Sequence, residues 1–432
     1  MQRVYESFYV AHVQQLKIKM LNWANRFNIF SFLDTHGYYQ SYSAQACLLG
    51  AGAIHFISRP AGAAFDAFGQ FQKEHPDWLF GHLAFDLKAE TEQVPSRLPD
   101  GIGFEDLLFF VPEVVLQLKE DQLLIGAIGV SPGLIWEQIN SCPSTAVTPP
   151  NDPIIEARFS REEYMRSVDQ IREHIHRGDC YELNFCQEFF VESVEIDPVA
   201  MYHRLSQTSP NPFSALYKND HRYLICASPE RYLCKRGDQI FSQPIKGTMP
   251  RFPNDPEKDA QSKLALQQSL KERAENIMVV DLVRNDLSRI CEQGTVNVEE
   301  LCGIYSFPQV HQMISTVSGR VAPETSPAAI LKQSFPMGSM TGAPKKRVLE
   351  LTEQYERTRR GLFSGAVGYI EPGGDFDFNV VIRSILYNEE TRYLSFQVGS
   401  AITFYADANA EYEECLLKAA AIKKVLTGID QH

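Results

Sequence analysis

Positive charge is in short supply along this 432-residue chain: 41 Lys and Arg stand against 54 Asp and Glu, a formal charge of −13. Such a balance offers no field for a phosphate backbone or an anionic bilayer, which excludes bulk nucleic-acid or membrane-surface binding. Long hydrophobic runs are missing too. The longest clean one, Leu123–Val130, is far short of a bilayer span. Met1–Asn25 mixes Gln, Lys and Arg without the apolar stretch and small-residue site of a secretory leader, so a cytoplasmic protein is expected. The nine cysteines are odd in number and form no C-x-x-C, which argues against a disulfide framework or a zinc ribbon. None lies in a G-x-C-x-G elbow, so no thiol nucleophile is indicated. Walker and dinucleotide fingerprints are absent as well: Gly50-Ala51-Gly52 lacks the third glycine.

What is present is core. Hydrophobic residues make up 44% of the chain, with 27 Phe, 18 Tyr and 3 Trp, too many for a solvated tail. The length suits two or three domains or one large interwoven unit. One composition break, the four-proline stretch Ser141–Pro153, reads as a linker or long loop. It divides an N-terminal region, 1–140, from a larger region, 156–428, with the linker at 141–155. In the larger region Ser160 and Glu163 form a capping box for a helix carrying Tyr164, Val168, Ile171 and Ile175 on one face and closed by Gly178. Pro256 opens a helical region after Asp255 that runs to about Ile290. Pro344 starts a helix that Gly361 ends, and Asn409 caps another that runs to about Leu426 before Gly428. Between them Arg222–Ala227, Gln239–Gln243, Phe363–Ile370, Asn379–Tyr387 and Tyr393–Val398 read as strands. The class is mixed α/β or α+β.

Two helices each carry acidic residues at i, i+3: Glu272 with Glu275, and Glu411 with Glu414. That spacing points both carboxylates of a pair the same way. Either these are solvated faces, or the helices face each other and the four carboxylates need a cation, for which Mg²⁺ is suited. Lys418, one turn past Glu414, fits a salt bridge or a substrate contact. The small-residue turn MGSMTGAPKKR feeds a helix start, a natural anion site or a mere tight turn. Arg383, within the apolar pattern FNVVIRSI, must either hold an anion in a cleft or pair with a carboxylate. Lys246, fixed between Pro244 and Gly247, is a nucleophile if desolvated and otherwise an exposed turn lysine. Glu230 is a candidate acid with raised pKa or a salt-bridge partner of Arg231, and His311 is a polar contact or a satisfied core histidine.

The segments SPERYL, PIKGTMPR, AENIMVVDLVRNDLSRI, GSMTGAPKKRVLELTEQYERTRRGLFSGAVGYI, DFNVVIRSI and AEYEECLLK closely resemble, in order, the motifs of the chorismate-utilising enzymes. FLDTHGYY and WLFGHLAFDLK resemble the more variable N-terminal region of the ammonia-using members. The resemblance implies the anthranilate synthase component I-like fold: two interwoven α/β subdomains whose antiparallel sheets pack as a central sandwich, with chorismate and Mg²⁺ in a cleft between them. It further implies that Glu275 and Glu414 hold the metal with Glu272 and Glu411 around it. One substrate carboxylate would bind this metal. The other would meet Arg383, Tyr369 and the backbone near Gly399, with Gly247, Thr248, Ser339, Gly342 and Lys418 lining the site.

Lys246 marks a branch within the family, since anthranilate-forming members have Ala at that place. The resemblance implies that Lys246 adds to C2 of chorismate while Glu230 protonates the departing C4 hydroxyl. Ammonia then adds at C4, and His311 contacts the substituent there. Because this chain has no glutaminase motif, a separate glutamine amidotransferase subunit is the implied source of ammonia. Two readings compete: an anthranilate-forming component, and a catalytically silent chorismate-binding subunit. Two positions depart from the family pattern. Glu182 in GDCYELNF stands where ammonia-using members have Gln and water-using members Lys, which leaves its role open. Ala401 in VGSAITFYAD stands where a second glycine is usual, putting a methyl group beside the expected carboxylate contact.

Overall fold

The β-branched and aromatic runs pair into two large sheets in the computed structural model, which describes residues 2–38, 46–145 and 153–427. Every strand pairing among the described residues is antiparallel, so the class is α+β. Among the described residues the first sheet has twelve strands. At its centre Ile29–Asp34, Phe213–Asn219, Arg222–Ser228, Ser384–Asn388, Tyr393–Ile402 and Glu182–Val191 follow one another. The second has ten and runs from Ile245–Pro250 at one end through Val310–Arg320, Gln239–Gln243, Arg231–Arg236 and Phe376–Asn379 to Ala366–Ile370 and Leu79–Leu83. Strands from both sides of the linker enter both sheets: Ile29–Asp34 pairs with Phe213–Asn219, and Leu79–Leu83 with Ala366–Ile370.

Burial is nearly continuous along the central strands, as expected of strands covered on both faces. Between the sheets lie Phe80, Phe110, Val115, Tyr217, Leu224, Val367 and Tyr369. The outer face of the first sheet is covered by helices carrying Trp23, Tyr164, Val168 and Ile422, and that of the second by helices carrying Phe65, Phe68, Val279, Val283 and Leu331. The result is four layers, helix–sheet–sheet–helix. No helix among the described residues is long and apolar enough to cross a membrane.

Of the places where the chain crosses from one sheet to the other, two lie side by side. Pro229 and Glu230 join Arg222–Ser228 to Arg231–Arg236, and residues 380–383 join Phe376–Asn379 to Ser384–Asn388. The crossings are stitched together: the Val380 amide donates to the Glu230 carbonyl (3.0 Å) and the Ala227 amide to that of Arg383 (3.2 Å). The apolar run Asn379–Tyr387 is therefore not one strand. It breaks where Arg383 adopts φ 51°.

Other boundaries shift for local reasons. The capping box at Ser160 and Glu163 starts Arg161–His176 as the sequence predicts, and Gly178 (φ 83°) follows its end. The long pattern after Pro256 is two helices, Pro256–Gln268 and Leu270–Ser288, because Ser269 leaves helical geometry and caps the Glu272 amide. The helix after Pro344 stops at Tyr355, short of Gly361. Asp407, rather than Asn409, accepts from the Ala410 amide at the start of Ala408–Thr427. Ser141 ends the helix Pro132–Ser141; residues 146–152 of the expected linker, and Gly428, lie outside the described residues.

Arg360 ties these parts together. Its buried guanidinium donates to both Glu356 oxygens (3.1 and 2.7 Å), to the Met340 carbonyl (2.8 Å) and to the Asn184 carbonyl (2.8 Å). Glu356 in turn accepts from the Cys186 amide (3.0 Å). Removing one partner of such a pair leaves the other charge buried and uncompensated. Arg360→Met is expected to lower unfolding free energy by about 3–5 kcal/mol in urea titrations, and the double change with Glu356→Leu to recover most of that loss.

Candidate active site

Lys246 owes its position to a bulge. Ile245 pairs with Ile314 and Thr248 with Gln312, so Lys246 and Gly247 together oppose the single residue Met313. Gly247 takes φ 99°, and a Cβ there would stand 3.1 Å from Glu272 Oε2. Asn276, buried on the helix Leu270–Ser288, donates to the Lys246 carbonyl (3.2 Å) and to that of Met313 (3.2 Å), clamping the bulge from behind. The side chain keeps 20% of its surface exposed, and its Nζ lies 3.8 Å from Glu275 Oε2 and 3.9 Å from Glu182 Oε1. These are ion-pair distances, too long for hydrogen bonds.

Members of both i, i+3 pairs reach the same lysine. Glu272, Glu275 and Glu414 all act on the Lys246 ammonium, as does Glu182. Burial alone would lower the lysine pKa, but the carboxylates outweigh it and raise it. Glu272 is pushed up by burial and by Glu275 and Glu414. Glu411 is also raised, chiefly by burial, while Ser400 hydrogen-bonds its carboxylate. Burial would raise Glu414 as well, but Lys418, 2.8 Å away, brings it below the ordinary value. Lys418 also donates to the Gly399 carbonyl (2.8 Å), joining that loop to the acidic helix.

Four crowded helix carboxylates have the hard-oxygen chemistry that suits Mg²⁺. Among the described residues no three His, Cys, Asp or Glu close into a metal-holding group. The donor type fits a dication that retains waters and takes a substrate oxygen, while the carboxylates stand apart as an open rim.

On the other side of Lys246 lies the double crossing. Glu230 is 4% exposed, and burial lifts its pKa to about 7 against the opposing pull of the Ser339 hydroxyl, Lys246 and Arg383. Ser339 is presented by a turn whose Gly338 amide donates to Asp286 (2.9 Å) and whose Ser339 carbonyl accepts from Asn184 (2.9 Å). Arg383 is depressed by burial, with Glu230 the one opposing charge. No carboxylate forms an ion pair with it among the described residues, which favours the anion-holding alternative. Gly342 (φ 144°) pairs with Leu183 at a place where a Cβ would collide with the Glu182 carbonyl.

Three anticipated contacts are placed differently. The Tyr369 hydroxyl accepts from Arg236 (3.1 Å) in the packing between the sheets, beside Trp78 and Phe80, so its polar end is already engaged. Ala401 pairs with Asn184 inside the first sheet and is 8% exposed. His311 turns toward the helix side of its sheet, its Nε2 3.2 Å from Asp259 and its Nδ1 2.8 Å from Ser306, so neither ring nitrogen is free for a substrate substituent. Its neighbour Gln312 projects to the opposite face, fully buried, with neither amide atom hydrogen-bonded. Sequence reasoning missed Gln312, although period-two alternation forbids both residues from facing one cleft.

Comparisons with known proteins give the family and the fold. Residues 37–424 match the model of the family described as chorismate binding enzyme. An aminodeoxychorismate synthase component 1 of Klebsiella aerogenes is 34% identical over 345 residues, covering 79% of this chain and 75% of that one. A probable chloroplastic aminodeoxychorismate synthase of Oryza sativa is 39% identical over 63% of this chain, which spans only 30% of that longer protein. The crystal structure of anthranilate synthase component I from Streptococcus pneumoniae superposes with a TM-score of 0.77 at 24% identity, covering 89% of this chain and 94% of that one.

The burial of Glu230 carries a stability signature. Below about pH 4.5 its carboxyl is protonated folded and unfolded; between there and about 7 only the unfolded chain ionises freely, so stability falls as pH rises. Glu230→Gln removes that cost. The substitution should leave stability nearly unchanged near pH 4 and add about 3 kcal/mol by about pH 8, read from denaturant unfolding at both values.

Proposed function

This chain belongs to the chorismate-binding enzymes, and we propose that it acts as an aminodeoxychorismate synthase component I. It converts chorismate and ammonia to 4-amino-4-deoxychorismate, the precursor of the 4-aminobenzoate unit of folate. The ammonia comes from a separate glutamine amidotransferase subunit, and the reaction takes place in the cytoplasm. The observation that carries the reading is Lys246, lying between a buried acid near neutral pKa and a bank of carboxylates.

In this scheme the Lys246 amine forms a bond to C2 of chorismate as the C4–O bond breaks and the ring double bonds shift. Glu230, about half protonated near pH 7, gives its proton to the departing hydroxyl, which leaves as water. Arg383 holds the substrate carboxylate farther from the acidic helices. Mg²⁺ held by Glu275 and Glu414, with Glu272 and Glu411 around it, would fix the other carboxylate and offset the negative charge that keeps Lys246 protonated. Ammonia then bonds to C4 and the C2–N bond breaks, returning Lys246. The adduct nitrogen keeps both its protons as a secondary ammonium and departs as the neutral amine, while the proton shed by the new C4 ammonium returns to Glu230; one difficult displacement becomes two allylic ones.

An anthranilate-forming enzyme would need no nucleophile at position 246, and a silent binding subunit would need neither Lys246 nor the buried acid. The test is product analysis with chorismate, Mg²⁺ and ammonium. The wild type should yield 4-amino-4-deoxychorismate, and, with ammonium withheld, intact-mass measurement should reveal an adduct of chorismate less water. Lys246→Ala should lose both the adduct and at least about 99% of the aminated product. Fluorescent anthranilate as the wild-type product would refute the reading.

A further inference from the structure

The two acids of the helix Ala408–Thr427 are restrained in different ways, by successive residues of one strand. The Gly399 carbonyl accepts from Lys418 (2.8 Å), and Lys418 holds Glu414 (2.8 Å) in an ion pair open to solvent. Such pairs are weak and readily exchanged. Ser400, by contrast, is buried and hydrogen-bonds Glu411, which is buried as well. Behind Ser400 stands the Tyr164 hydroxyl, 3.3 Å from its Oγ. The same tyrosine hydrogen-bonds Cys415, whose sulfur accepts from Gln187 (3.2 Å). Direction along this chain follows from counting protons. An ionised carboxylate only accepts, so Ser400 directs its single proton to Glu411, and Tyr164 donates to the Ser400 oxygen. Burial raises Tyr164 well above the ordinary tyrosine value, which keeps it a neutral donor. Its ring packs against Phe159, Phe185 and Tyr412, fixing the oxygen in place.

We infer that Tyr164 and Ser400 are positioning residues of the acidic rim: they commit one oxygen of Glu411 to the protein and thereby select Mg²⁺ over Ca²⁺. This rests on the metal-assisted function proposed above. Ca²⁺ gathers more oxygens at longer range and commonly takes both oxygens of one carboxylate. Mg²⁺ requires a compact octahedron and keeps several of its waters. A glutamate with one oxygen engaged by a buried hydroxyl has a single oxygen left to offer. That meets the needs of Mg²⁺, or of a water bound to it, and falls short of those of Ca²⁺. Glu414, in its exposed ion pair, keeps the freedom to take the cation directly.

Had the chain of hydroxyls served only to pack helix against sheet, its loss would weaken both cations alike. Equilibrium dialysis of the full chain against MgCl2 or CaCl2, with chorismate present and ammonium withheld, counts the bound metal directly. Ser400→Ala should weaken Mg²⁺ binding about tenfold, the scale of a lost partner behind a metal ligand, and leave Ca²⁺ binding within about twofold. Tyr164→Phe, which keeps the buried ring, should move the Mg²⁺-to-Ca²⁺ ratio the same way by about threefold, the scale of one neutral hydrogen bond. It also decides the question where Ser400→Ala does not fold. Ser400→Thr retains the hydroxyl and should restore the wild-type ratio to within about twofold. An unchanged ratio in both Ser400→Ala and Tyr164→Phe, or an equal loss of both cations, overturns the inference. A wild type that binds no Mg²⁺ beside chorismate would instead overturn the metal assignment beneath it.

Discussion

A single ammonium group surrounded by carboxylates sets the terms for this structure. Lys246 lies within 4 Å of Glu182 and Glu275, with Glu272 and Glu414 also acting on it. The acids come from a strand of the first sheet and from two helices, so the electrostatics hold only if those elements meet at one place. Several features without chemistry of their own follow from that requirement. The bulge at Lys246–Gly247 turns the lysine out of its ladder, and Asn276 fixes the bulge from the same helix that supplies Glu272 and Glu275. Gly247 is small because Glu272 stands where a side chain would go. Lys418 holds Glu414 to the Gly399 loop. Without the lysine, four like charges would share a poorly solvated rim, an arrangement that repulsion opposes.

The acid and the anion-holding arginine share a different origin. Both lie where the chain passes between sheets, and the crossings are hydrogen-bonded to each other. A sheet interior commits each side chain to one face and each backbone group to a ladder. At a crossing both commitments lapse, which frees Glu230 and Arg383 to project into the space the sheets leave between them. Their opposite charges do not merge into an ordinary ion pair. Glu230 is drawn only part of the way down by Arg383, Lys246 and Ser339, and burial keeps its pKa close to neutrality. Proton donation needs that balance: a full salt bridge would hold the carboxylate ionised and useless as an acid.

How much of this was legible beforehand depended on how far each feature reaches along the chain. The i, i+3 carboxylate pairs were readable because helical period is local, and the capping box at Ser160 was readable for the same reason. The four-carboxylate convergence needed the family motifs, since no local rule says which helices will face each other. The break at Ser269 was missed because a serine amid helix-favouring residues signals a cap only once the preceding turn has ended. Arg383 was assigned to one long strand, although the apolar run hid a crossing that its positive φ reveals. His311 was misplaced by a single residue of alternation. Tyr369 was assigned to the cleft by its motif, yet its hydroxyl is taken by Arg236, a partner 133 positions away in sequence.

The polar groups of this protein fall into two populations that hydrogen bonding separates better than burial does. Arg360, Glu356, Arg231 and Asp377 are deeply buried and their charged ends are engaged by protein partners; they hold elements together. Glu182 and Gln312 are as deeply buried, and their side-chain polar atoms accept or donate no hydrogen bond. A fold shaped by stability alone would have replaced them with apolar residues or supplied partners, because a dry, unpaired polar atom is among the more expensive things a core can contain. Their persistence on the walls around a lysine that also lacks a close hydrogen bond makes sense if the missing partners arrive with the substrates. That division explains why the same residue types, glutamate above all, act as fasteners in one part of the sandwich and as reagents a few ångströms away.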